Sequence, residues 1–322
     1  MNQEVTVVIP NYNGIKYIDS CLRSVYEGTT VPEVIVVDNG SKDGSAELIR
    51  QKYPGCGLIC LAENTGFCHA VNEGIRSASS EYVILLNNDT TVDGEFTEKL
   101  LDSIKDKKDA FSVGAKMLSM SQPDVIDDAG DLYCALGWAF ALGKGKPKEA
   151  YKKGTQIFAA CAGAAIYRKS ILEKIGYFDE NHFAYLEDID IGYRAKLFGY
   201  RNYYEPEALV YHAGSAVSGS RYNEFKVRLA ARNSVYLIAK NMPFLQIVLN
   251  MIFLLPGFCI KALFFAGKGM GGVYIRGLKE GVKLSVSEAG RKKRVHFRRK
   301  HLGDYVKIQI ELWVNLIRRV GG

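Results

Sequence analysis

Acidic and amide side chains stand directly after apolar runs at two points early in the chain. The triplet Asn87-Asn88-Asp89 follows the run Tyr82–Leu86, and Asp38 follows the run Glu33–Val37. A divalent cation beside a diphosphate needs only one or two protein carboxylates, because phosphate oxygens and water supply its other ligands. Asp89 therefore fits a cation ligand, and Asp38 can accept a hydrogen bond from a pyrimidine N–H or a ribose hydroxyl. Turns and helix caps use the same residue types without a ligand.

Two further groups with chemical potential lie later in the chain. Asp188 stands at the start of a predicted helix, where a carboxylate can favour the helix dipole or remove a proton from an alcohol as a general base. Asp190 and Arg194 are four residues apart, and we expect them to pair on the surface of that helix. His212 follows a predicted strand. A structural histidine is common there, while a candidate cation ligand elsewhere in the chain favours a metal-binding histidine.

These residues need a scaffold, and the first part of the chain alternates strand and helix patterns. Strands are predicted at Val5–Ile9, Glu33–Val37, Leu58–Leu61, Tyr82–Leu86, Ala110–Met117, Gly163–Tyr167 and Ala208–Tyr211. Helical faces are predicted over Ile15–Tyr26, Ala46–Arg50 (capped by Asp43), Phe67–Ala78 and Glu187–Phe198. Apolar strands alternating with amphipathic helices predict a mostly parallel, doubly wound α/β sheet. Ligands of such sheets bind beyond the carboxyl ends of the strands, where the polar residues above stand.

Composition and charge divide the chain into two parts. Its 322 residues are 48% hydrophobic and 24% charged, which excludes disordered and collagen-like classes. Residues 1–217 contain 22 lysines and arginines against 30 acidic residues, whereas residues 218–322 contain 20 against 5. Seven cysteines without a C-x-x-C pair favour a reducing compartment over a disulfide framework or a zinc ribbon. The N-terminus has no cationic start before its apolar run, so we expect no secretory signal.

The order of motifs over about residues 4–240 resembles one known family. The motifs are Val7-Val-Ile-Pro-Asn-Tyr-Asn-Gly14, Val36-Val-Asp-Asn-Gly-Ser-Lys-Asp-Gly44, Glu63-Asn-Thr-Gly-Phe67 with Asn72, Leu85-Leu-Asn-Asn-Asp89, Gly163-Ala, Gly176-Tyr-Phe-Asp-Glu180, Tyr185-Leu-Glu-Asp188 and Tyr211-His212. They resemble the inverting family 2 glycosyltransferases of the GT-A fold. Among these the chain looks most like bacterial rhamnosyltransferases that build surface polysaccharides.

The resemblance implies a role for each matching residue. The residues implied at the nucleotide and the donor are Pro10, Asn11, Asp38, Asn64, Gly66, Asn88 and Asp89, with Asn72 supporting the loop of Asn64. Asp89 and His212 would hold a divalent cation, Mg²⁺ or Mn²⁺, on the diphosphate. Asp188 would be the catalytic base, and Glu187 and Gly163 would contact the acceptor. The chain departs from the family's D-x-D element, because Asn87-Asn88-Asp89 carries a single carboxylate.

The implied function is inverting transfer of a sugar from a nucleotide diphosphate donor to a lipid-linked or polysaccharide acceptor. The rhamnosyltransferase resemblance implies L-rhamnose from dTDP-L-rhamnose. A UDP-linked galactofuranose or hexose on the same fold, and a non-catalytic membrane-bound assembly subunit, are the open alternatives. The turn Pro10–Gly14 lacks the G-x-G-x-x-G of dinucleotide oxidoreductases and the basic, glycine-rich phosphate loop that a nucleotidyltransferase would need.

The C-terminal part, residues 241–322, is predicted to be a helical, membrane-associating extension of a GT-A domain over residues 1–240. Phe244–Ala266 is nearly continuous apolar sequence, but a spanning helix wants about 20 apolar residues. Cations flank it on both sides, at Arg232 and Lys240 and at Arg291–Lys300. A single span would place one of these flanks outside, against the positive-inside tendency.

We therefore expect an interfacial or re-entrant segment, peripheral to the cytoplasmic face of the cell membrane. An anionic membrane surface is the expected partner of the cationic cluster, in preference to nucleic acid. The last helix carries an apolar stripe of Tyr305, Ile308, Leu312, Trp313, Leu316, Ile317 and Val320. This stripe fits the membrane interface and packing on the first domain equally well.

Overall fold

The computed structural model describes residues 2–214 and 222–321. Its strands are β1 (Asn2–Asn11), β2 (Pro32–Asp38), β3 (Gly57–Cys60), β4 (Tyr82–Leu86), β5 (Thr90–Val92), β6 (Ala110–Ser119), β7 (Ile126–Asp128), β8 (Asp131–Cys134), β9 (Trp138–Ala141), β10 (Thr155–Ile157), β11 (Ala164–Arg168) and β12 (Arg201–His212). Its helices are α1 (Ile18–Tyr26), α2 (Ser45–Lys52), α3 (Phe67–Ser77), α4 (Phe96–Asp106), α5 (Lys169–Ile175), α6 (Glu187–Leu197), α7 (Glu224–Asn241), α8 (Phe244–Ala266), α9 (Gly271–Val286), α10 (Glu288–Lys292) and α11 (Leu302–Gly321). Short 3₁₀ turns at Glu180–His182 and Arg299–His301 precede α6 and α11.

Ten strands of the described residues form one sheet with a path β10-β12-β6-β11-β4-β1-β2-β3, and β5 and β7 pair with β12 and β6. The strands β3, β2, β1 and β4 run parallel. The strand β11 lies antiparallel between β4 and β6, and β12 runs parallel to β6. The carboxyl ends of β1, β2, β4, β6 and β12 therefore meet at one edge. The expected mostly parallel α/β sheet is confirmed, and its carboxyl edge is where ligands bind in such folds.

Alternate residues of each strand enter the cores on the two faces of the sheet, as the two-residue repeat of a strand requires. In β1, Val7 and Ile9 pack in a cluster with α1 and α4, whereas Val8 packs in a cluster with α3. All three side chains are fully buried. Burial of an aliphatic side chain of this size stabilises the fold by about 1.5–3 kcal/mol. The apolar runs of the sequence therefore become strands that are covered on both faces.

The structure differs from the expected elements in three places. The short strand predicted before His212 is β12, which begins at Arg201. The stretch 120–160 holds β7, β8, β9 and β10, each of only three or four residues, which is too short to produce a periodic pattern. Ile15 precedes α1 and is 39% exposed, so it does not belong to the buried face of that helix.

The helices α7 and α9 pack with their backbones in close contact. A Cβ atom at Gly277 would lie 2.4 Å from the carbonyl oxygen of Arg228, and one at Gly281 would lie 2.4 Å from that of Arg232. Larger residues at these two positions would force the helices apart. The predicted domain boundary after residue 240 falls in the last turn of α7.

The helix α8 packs a stripe with two amides inward and its apolar side outward. Its buried residues are Gln246, Asn250, Leu254 and Gly257. The Tyr193 hydroxyl donates to the Gln246 side chain, and Asn250 exchanges two hydrogen bonds with Gln309 of α11. Among the described residues, Phe244–Ala266 is the one helix long and apolar enough to cross a membrane, with a mean hydropathy of 2.1 and 17% of that window buried. The helix is continuous from Phe244 to Ala266, and the expected interfacial or re-entrant position at a membrane stays a prediction.

The last helix, α11, uses both of its faces. Ile308 and Leu312 are buried in a cluster with α6 and α7, and the Ala135 N–H donates to the Leu312 carbonyl. Ile317, in contrast, is 74% exposed. Part of the predicted stripe, at Ile308 and Leu312, is therefore packed on the protein. Another part, at Ile317, is an exposed apolar surface. The side chain of Val320 lies outside the described residues.

Candidate active site

Asn11, at the end of β1, joins the ends of β2 and β4. Its Nδ2 donates to the Asp38 Oδ1 at 2.8 Å and to the Ser45 hydroxyl at 2.9 Å, and its Oδ1 accepts from the Asn88 Nδ2 at 2.7 Å. The Asn11 side chain is buried. Gly14 leaves room for this link, because a Cβ atom there would lie about 2.1 Å from the Asn88 amide nitrogen. Three of the residues implied at the nucleotide and the donor thus form one hydrogen-bonded chain.

Asp38 is 3% exposed and holds the turn that follows β2. Its Oδ1 accepts from Asn11, and its Oδ2 accepts from the Ser41 N–H at 3.1 Å. Each carboxylate oxygen keeps a second lone pair, so these bonds leave capacity for a ligand. Pro10 lies opposite Val37 in the β1–β2 register, beside Asp38. The role of Asp38 at a nucleotide base stays a prediction.

Asp43 is the expected cap of α2, but the N-cap residue is Gly44, and Asp43 accepts from Ser45 at the start of the helix from one residue before it. Its Oδ1 accepts from the N–H and the hydroxyl of Ser45, and its Oδ2 accepts from the Ile15 N–H. These bonds help to lower the pKa of Asp43 although desolvation acts in the opposite direction. The side chain therefore fixes the start of α2 relative to the turn before α1.

Asn39 holds the loop that carries the predicted donor residues Asn64 and Gly66. The Asn39 Nδ2 donates to the Asn64 Oδ1 and to the Gly66 carbonyl, and its Oδ1 accepts from the Thr65 N–H. Gly66 has a φ of +92°, and a Cβ atom there would lie 2.6 Å from the Phe183 ring. This loop therefore stands beside the end of β2 and requires glycine at position 66. Asn39 lies within the motif Val36–Gly44, but no role was predicted for it from the sequence.

The resemblance implies that Asn72 supports the loop of Asn64, but its side chain forms its hydrogen bonds elsewhere. Its Nδ2 donates to the Phe178 carbonyl and to the Glu180 carboxylate at 2.9 Å each, and its Oδ1 accepts from the Phe178 N–H. Asn72 instead fixes the turn before α6. The physical reason is its direction: the side chain of this α3 residue meets the turn before α6 and not the loop that precedes its own helix.

Asp89 and His212 come together, although they are distant in sequence. The Asp89 Oδ2 lies 3.5 Å from the His212 Nε2, and the His212 Nδ1 lies 2.8 Å from the Asp127 Oδ2. Burial lowers the pKa of His212, but the carboxylates of Asp127 and Asp89 outweigh it and raise that pKa to about 9. Desolvation opposes the ionisation of Asp127, yet His212 and Lys144 hold its pKa below the ordinary value.

The chemistry of this set fits a divalent cation. Asp89 offers an oxygen and His212 a nitrogen to the same point, and Asp127 holds the second ring nitrogen of the histidine. Carboxylates commonly hold and orient metal-bound histidines in this way. One carboxylate and one imidazole fill only part of a coordination shell, so phosphate oxygens and water would supply the other ligands.

The predicted acceptor residue Gly163 lies beside the Asn87-Asn88-Asp89 triplet. Its carbonyl accepts from the Asn87 N–H at 2.9 Å. A Cβ atom on Gly163 would lie 2.9 Å from the Asn87 Nδ2, so glycine lets the end of β4 pass closely. Contact of Gly163 with an acceptor stays a prediction.

Asp188, in the first turn of α6, belongs to an acidic cluster of Asp128, Asp131, Glu187 and Asp188, in which Asp128 and Glu187 are buried and the other two are half-buried. The Asp188 side chain accepts a hydrogen bond from Asp131, and its Oδ1 accepts from the Ile189 N–H at 2.7 Å. Ligand atoms of Asp128, Asp131 and Cys161 lie within 4.8 Å of one another. Glu187 is 8% exposed, and its Oε2 has no hydrogen-bond partner within the described ranges. The cluster therefore surrounds the predicted base with further carboxyl groups.

Burial raises the pKa of every carboxyl group in the acidic cluster. It raises the pKa of Asp128 to about 7 and, with the charge of Asp188, that of Glu187 to about 8. Burial and the charges of Asp128 and Asp188 raise the pKa of Asp131 well above its usual value. Burial also raises the pKa of Asp188, and the hydrogen bond from Asp131 partly offsets this rise. The hydrogen bond between the two carboxyl groups raises the pKa of Asp131 and lowers that of Asp188, so a proton shared by this pair lies on the Asp131 side.

Asp127, Asp128 and Asp131 were not predicted as site residues from the sequence. The dense run Ile126-Asp-Asp-Ala-Gly-Asp131 was the available signal, but it lies in the stretch without a helical or strand pattern. Asp127 and its partner His212 are 85 positions apart. Local spacing carries no information about such a contact.

Asp190 and Arg194 pair as expected, but they do not lie on a helix surface. Asp190 is fully buried and Arg194 is 6% exposed, because α7 covers α6. The Lys240 ammonium lies 2.7 Å from the Asp179 Oδ2 and 2.8 Å from the Asp190 Oδ2. Desolvation opposes the ionisation of Asp190, but Lys240 and Arg194 hold its pKa well below the usual range. Lys240 is therefore a buried counter-ion and not part of a basic flank of α8.

Arg232, the other cation expected in that flank, also faces the protein. Its guanidinium donates to the backbone carbonyls of Asn181 and His182 at 2.8 Å each. The cations before α8 thus hold the turn that precedes α6. The cluster Arg291–Lys300 keeps most of its cations exposed.

The family model Glycosyl transferase family 2 matches residues 6–176, more than half of the chain. The matched range contains Asp38 and Asp89 and ends before Asp188 and His212.

Two relatives illustrate the range of similar proteins. The poly-beta-1,6-N-acetyl-D-glucosamine synthase of Staphylococcus epidermidis is 26% identical over 208 residues, which cover 64% of this chain and 48% of the synthase. The chain thus spans about half the length of the staphylococcal synthases that it matches. The N-acetylglucosaminyl-diphospho-decaprenol L-rhamnosyltransferase of Mycobacterium tuberculosis is 25% identical over 240 residues, which cover 66% of this chain and 76% of that enzyme.

Solved structures share the fold at lower identity. Mannosyltransferase PcManGT from Pyrobaculum calidifontis, in complex with GDP-Man and Mn²⁺, has a TM-score of 0.55 at 19% identity and covers 96% of this chain and 84% of its own. S. aureus TarS has a TM-score of 0.55 at 18% identity, covering 95% and 55%. GalNAc-T7 with UDP, GalNAc and Mn²⁺ has a TM-score of 0.60 at 15% identity, covering 73% and 47%. These likenesses concern the GT-A fold.

Proposed function

The chain belongs to glycosyl transferase family 2, and from that membership we propose that it transfers a sugar from a nucleoside diphosphate to an acceptor hydroxyl with inversion. One observation carries the proposal: Asp131, which is hydrogen-bonded to the half-buried Asp188, belongs to the same short acidic run as Asp127, which holds His212 beside Asp89. A base and a diphosphate site are the two parts that such a transfer needs.

Asp188 is the proposed catalytic base. The acceptor hydroxyl loses its proton to the Asp188 carboxylate while its oxygen forms a bond to the anomeric carbon. The bond from that carbon to the diphosphate breaks on the opposite face, so the anomeric configuration inverts. A positioned base of this kind contributes about 10²–10⁴-fold to the rate. Glu187 is proposed to help position the acceptor, and its buried Oε2 has no hydrogen-bond partner among the described residues.

Asp89 and His212 are the proposed holders of a divalent cation, Mg²⁺ or Mn²⁺. Such a cation neutralises the charge that develops on a departing diphosphate. Asn11 and Asn88 keep Asp89 beside the proposed nucleotide position through their hydrogen bond. The Mn²⁺ named with two structural neighbours supports this assignment.

The proposed donor is a thymidine or uridine diphosphate sugar, because Asp38 can accept from a pyrimidine N3–H. L-rhamnose from dTDP-L-rhamnose, and a lipid-linked acceptor, are supported by the name of the mycobacterial relative. A UDP-hexose is supported by the name of the staphylococcal relatives, and UDP-galactofuranose stays an alternative donor. A non-catalytic assembly subunit would have no need of the proton-sharing pair Asp131–Asp188.

We further propose that the chain works at the cytoplasmic face of the cell membrane. Exposed apolar residues such as Ile252 and Leu263, which are 71% and 74% exposed, cover the outer side of α8. The inner side is tied to Tyr193 and Gln309, so the helix is held along the protein and its outer side would lie in the membrane interface. The cationic cluster Arg291–Lys300 adds attraction to anionic lipid of about 1 kcal/mol per charge.

The proposal is tested first by protection against thermal unfolding in a screen of dTDP-, UDP- and GDP-sugars. Pyrimidine diphosphate sugars should protect better than GDP-mannose, and product analysis then identifies the transferred sugar. Asp188→Asn should keep this protection and lose transfer by about 10²–10⁴-fold. Asp102→Asn, an exposed carboxylate on α4, is the matched control. Near-normal turnover in Asp188→Asn removes the base assignment, and protection by no nucleotide sugar overturns the function.

A further inference from the structure

A large open cleft lies between the β8–β9 hairpin and the helices α7, α8 and α9. Its volume is about 1660 Å³. Its described lining includes Asp127, the residue that holds His212, and it includes Ile260 and Phe264 of α8. One cleft therefore connects the proposed cation site with the apolar helix. The residues proposed for the base, the cation and the nucleotide leave most of this cleft, including its side formed by α8, without a role.

The described lining of this cleft is strongly cationic. It contains one acidic residue, Asp127, and seven basic residues: Lys144, Lys146, Lys152, Lys153, Lys261, Arg318 and Arg319. Lys144 forms an ion pair with Asp127. The other six form no ion pair with the carboxylates of residues 2–214 and 222–321. The cleft is thus complementary to an anion, while its α8 wall is complementary to an apolar chain.

Two of these cations are held over neighbouring aromatic rings. The Lys261 ammonium lies 5.5 Å from the centre of the Trp138 ring, and the Arg319 guanidinium lies 5.6 Å from that of Phe140. Trp138 and Phe140 are two positions apart on β9 and so point to the same side. Burial, together with the charge of Arg319, lowers the pKa of Lys261 to about 8. Two like charges are therefore gathered at a partly desolvated place without a counter-ion, which an anionic ligand would supply.

We propose that this cleft binds the diphosphate and the first isoprenoid units of a lipid-linked acceptor, with Lys261 and Arg319 on the diphosphate. This inference rests on the proposed glycosyl transfer and adds the place and the chemistry of its acceptor. The apolar wall at Ile260 and Phe264 takes the isoprenoid. Asp127 also lines the cleft, so the sugar at the other end of the acceptor would lie near the cation site and the acidic cluster. A phospholipid headgroup offers the same charge but would have no part in a cleft that reaches the reacting groups.

Trp138 makes the binding measurable. The chain has two tryptophans, and Trp313 is on the partly exposed side of α11, so a Trp313→Phe background leaves Trp138 as the reporter of the cleft. Farnesyl diphosphate, added below its micelle concentration to the full chain, should change the Trp138 fluorescence saturably. Farnesol and inorganic pyrophosphate should each bind at least about tenfold more weakly, because each lacks one part of the ligand.

Substitutions then locate the ligand. Lys261→Met and Arg319→Gln should each weaken farnesyl diphosphate about tenfold or more, the usual loss for a hydrogen bond to a charged group. Lys283→Met removes an exposed lysine of α9 outside the cleft and should leave the affinity unchanged. Thermal unfolding of each variant checks that it is folded. Unchanged affinity in both cleft variants overturns the site.

A competition experiment separates the two sources of an anionic lipid. Short-chain phosphatidylglycerol should compete at least about tenfold less well than farnesyl diphosphate, because it lacks the diphosphate that pairs with two cations. Equal competition would make the cleft a phospholipid site and overturn the acceptor assignment. Protection by nucleotide sugars should be the same in Lys261→Met and the unsubstituted chain. If no nucleotide sugar protects either chain while farnesyl diphosphate still binds, the proposed transfer fails and the lipid-diphosphate site stands.

Discussion

Replacement of Asp131 by alanine or by asparagine tests how the protein would keep its base ionised. Asp188 is half-buried beside Asp128, Asp131 and Glu187, and its surroundings also include His182. Burial raises the pKa of Asp188, while the hydrogen bonds from Asp131 and from the Ile189 N–H lower it. Asp131→Ala removes the hydrogen-bond donor. Asp131→Asn keeps an N–H donor of nearly the same shape.

The magnitude follows from the strength of that hydrogen bond. A hydrogen bond to a charged group contributes about 1.5–3 kcal/mol, and about 1.4 kcal/mol corresponds to one pH unit. The base acts only when it is deprotonated, so activity falls as the pH falls through its pKa. Loss of the donor raises that pKa, and the acidic limb of the kcat/KM profile should therefore move upward by about 1–2 pH units in Asp131→Ala. In Asp131→Asn the limb should stay near its original position.

The assay is the rate of sugar transfer at saturating cation, measured from about pH 5 to pH 9 so that both sides of a pKa raised by burial are sampled. Asp131→Ala should lose most activity at the acidic end and recover at the alkaline end, whereas a merely structural defect would lower the rate at every pH. An unmoved limb in Asp131→Ala, or an equal displacement in both variants, would refute the shared proton between Asp131 and Asp188.

Three other perturbations test separate parts of the molecule. Asp127→Asn should weaken Mn²⁺ binding by about 10–100-fold, because it removes the carboxylate that orients His212; Mn²⁺ titration followed by electron paramagnetic resonance measures this, and an unchanged affinity contradicts the metal assignment. Lys240→Met should lower the free energy of unfolding by about 3–5 kcal/mol, because it leaves buried carboxylates unpaired; denaturant unfolding against the exposed Lys292→Met should show the loss only in the former. Ile252→Ser should weaken sedimentation with anionic vesicles. High salt should weaken the attachment without abolishing it, since salt screens only the electrostatic part of the binding free energy. Complete release by salt would show that the outer side of α8 does not anchor the protein.

A truncation after residue 241 would disturb more than the proposed membrane surface. A chain that ends there would lose Ile308 and Leu312, which are buried against α6 and α7. It would also lose Asn250 and its bonds to Gln309. Truncation would therefore disturb the helix that carries Asp188 as well as the membrane surface.

The positions of the main strands and of several polar residues could be predicted from local sequence. Apolar runs such as Tyr82–Leu86 carry their strand pattern within a few residues, and Asp38 and Asp89 follow such runs directly. In a parallel sheet the carboxyl ends meet at one edge, so the edge with Asp38, Asp89 and His212 follows from the pattern alone. The burial of all these strands by helices on both faces makes the pattern continuous and easy to recognise.

The groups that tune these residues depend on contacts between distant parts of the chain. Asp127 reaches His212 only because β7 and β12 both pair with β6, and Asp131 reaches Asp188 only because the β8–β9 hairpin lies over α6. Lys240 is a cation beside an apolar helix in the sequence, yet the packing of α7 on α6 makes it a buried counter-ion. The sequence determines which residue types follow each strand, because that information is local. The tertiary structure alone decides which carboxyl group faces another and how far each is removed from water, and this burial sets their protonation.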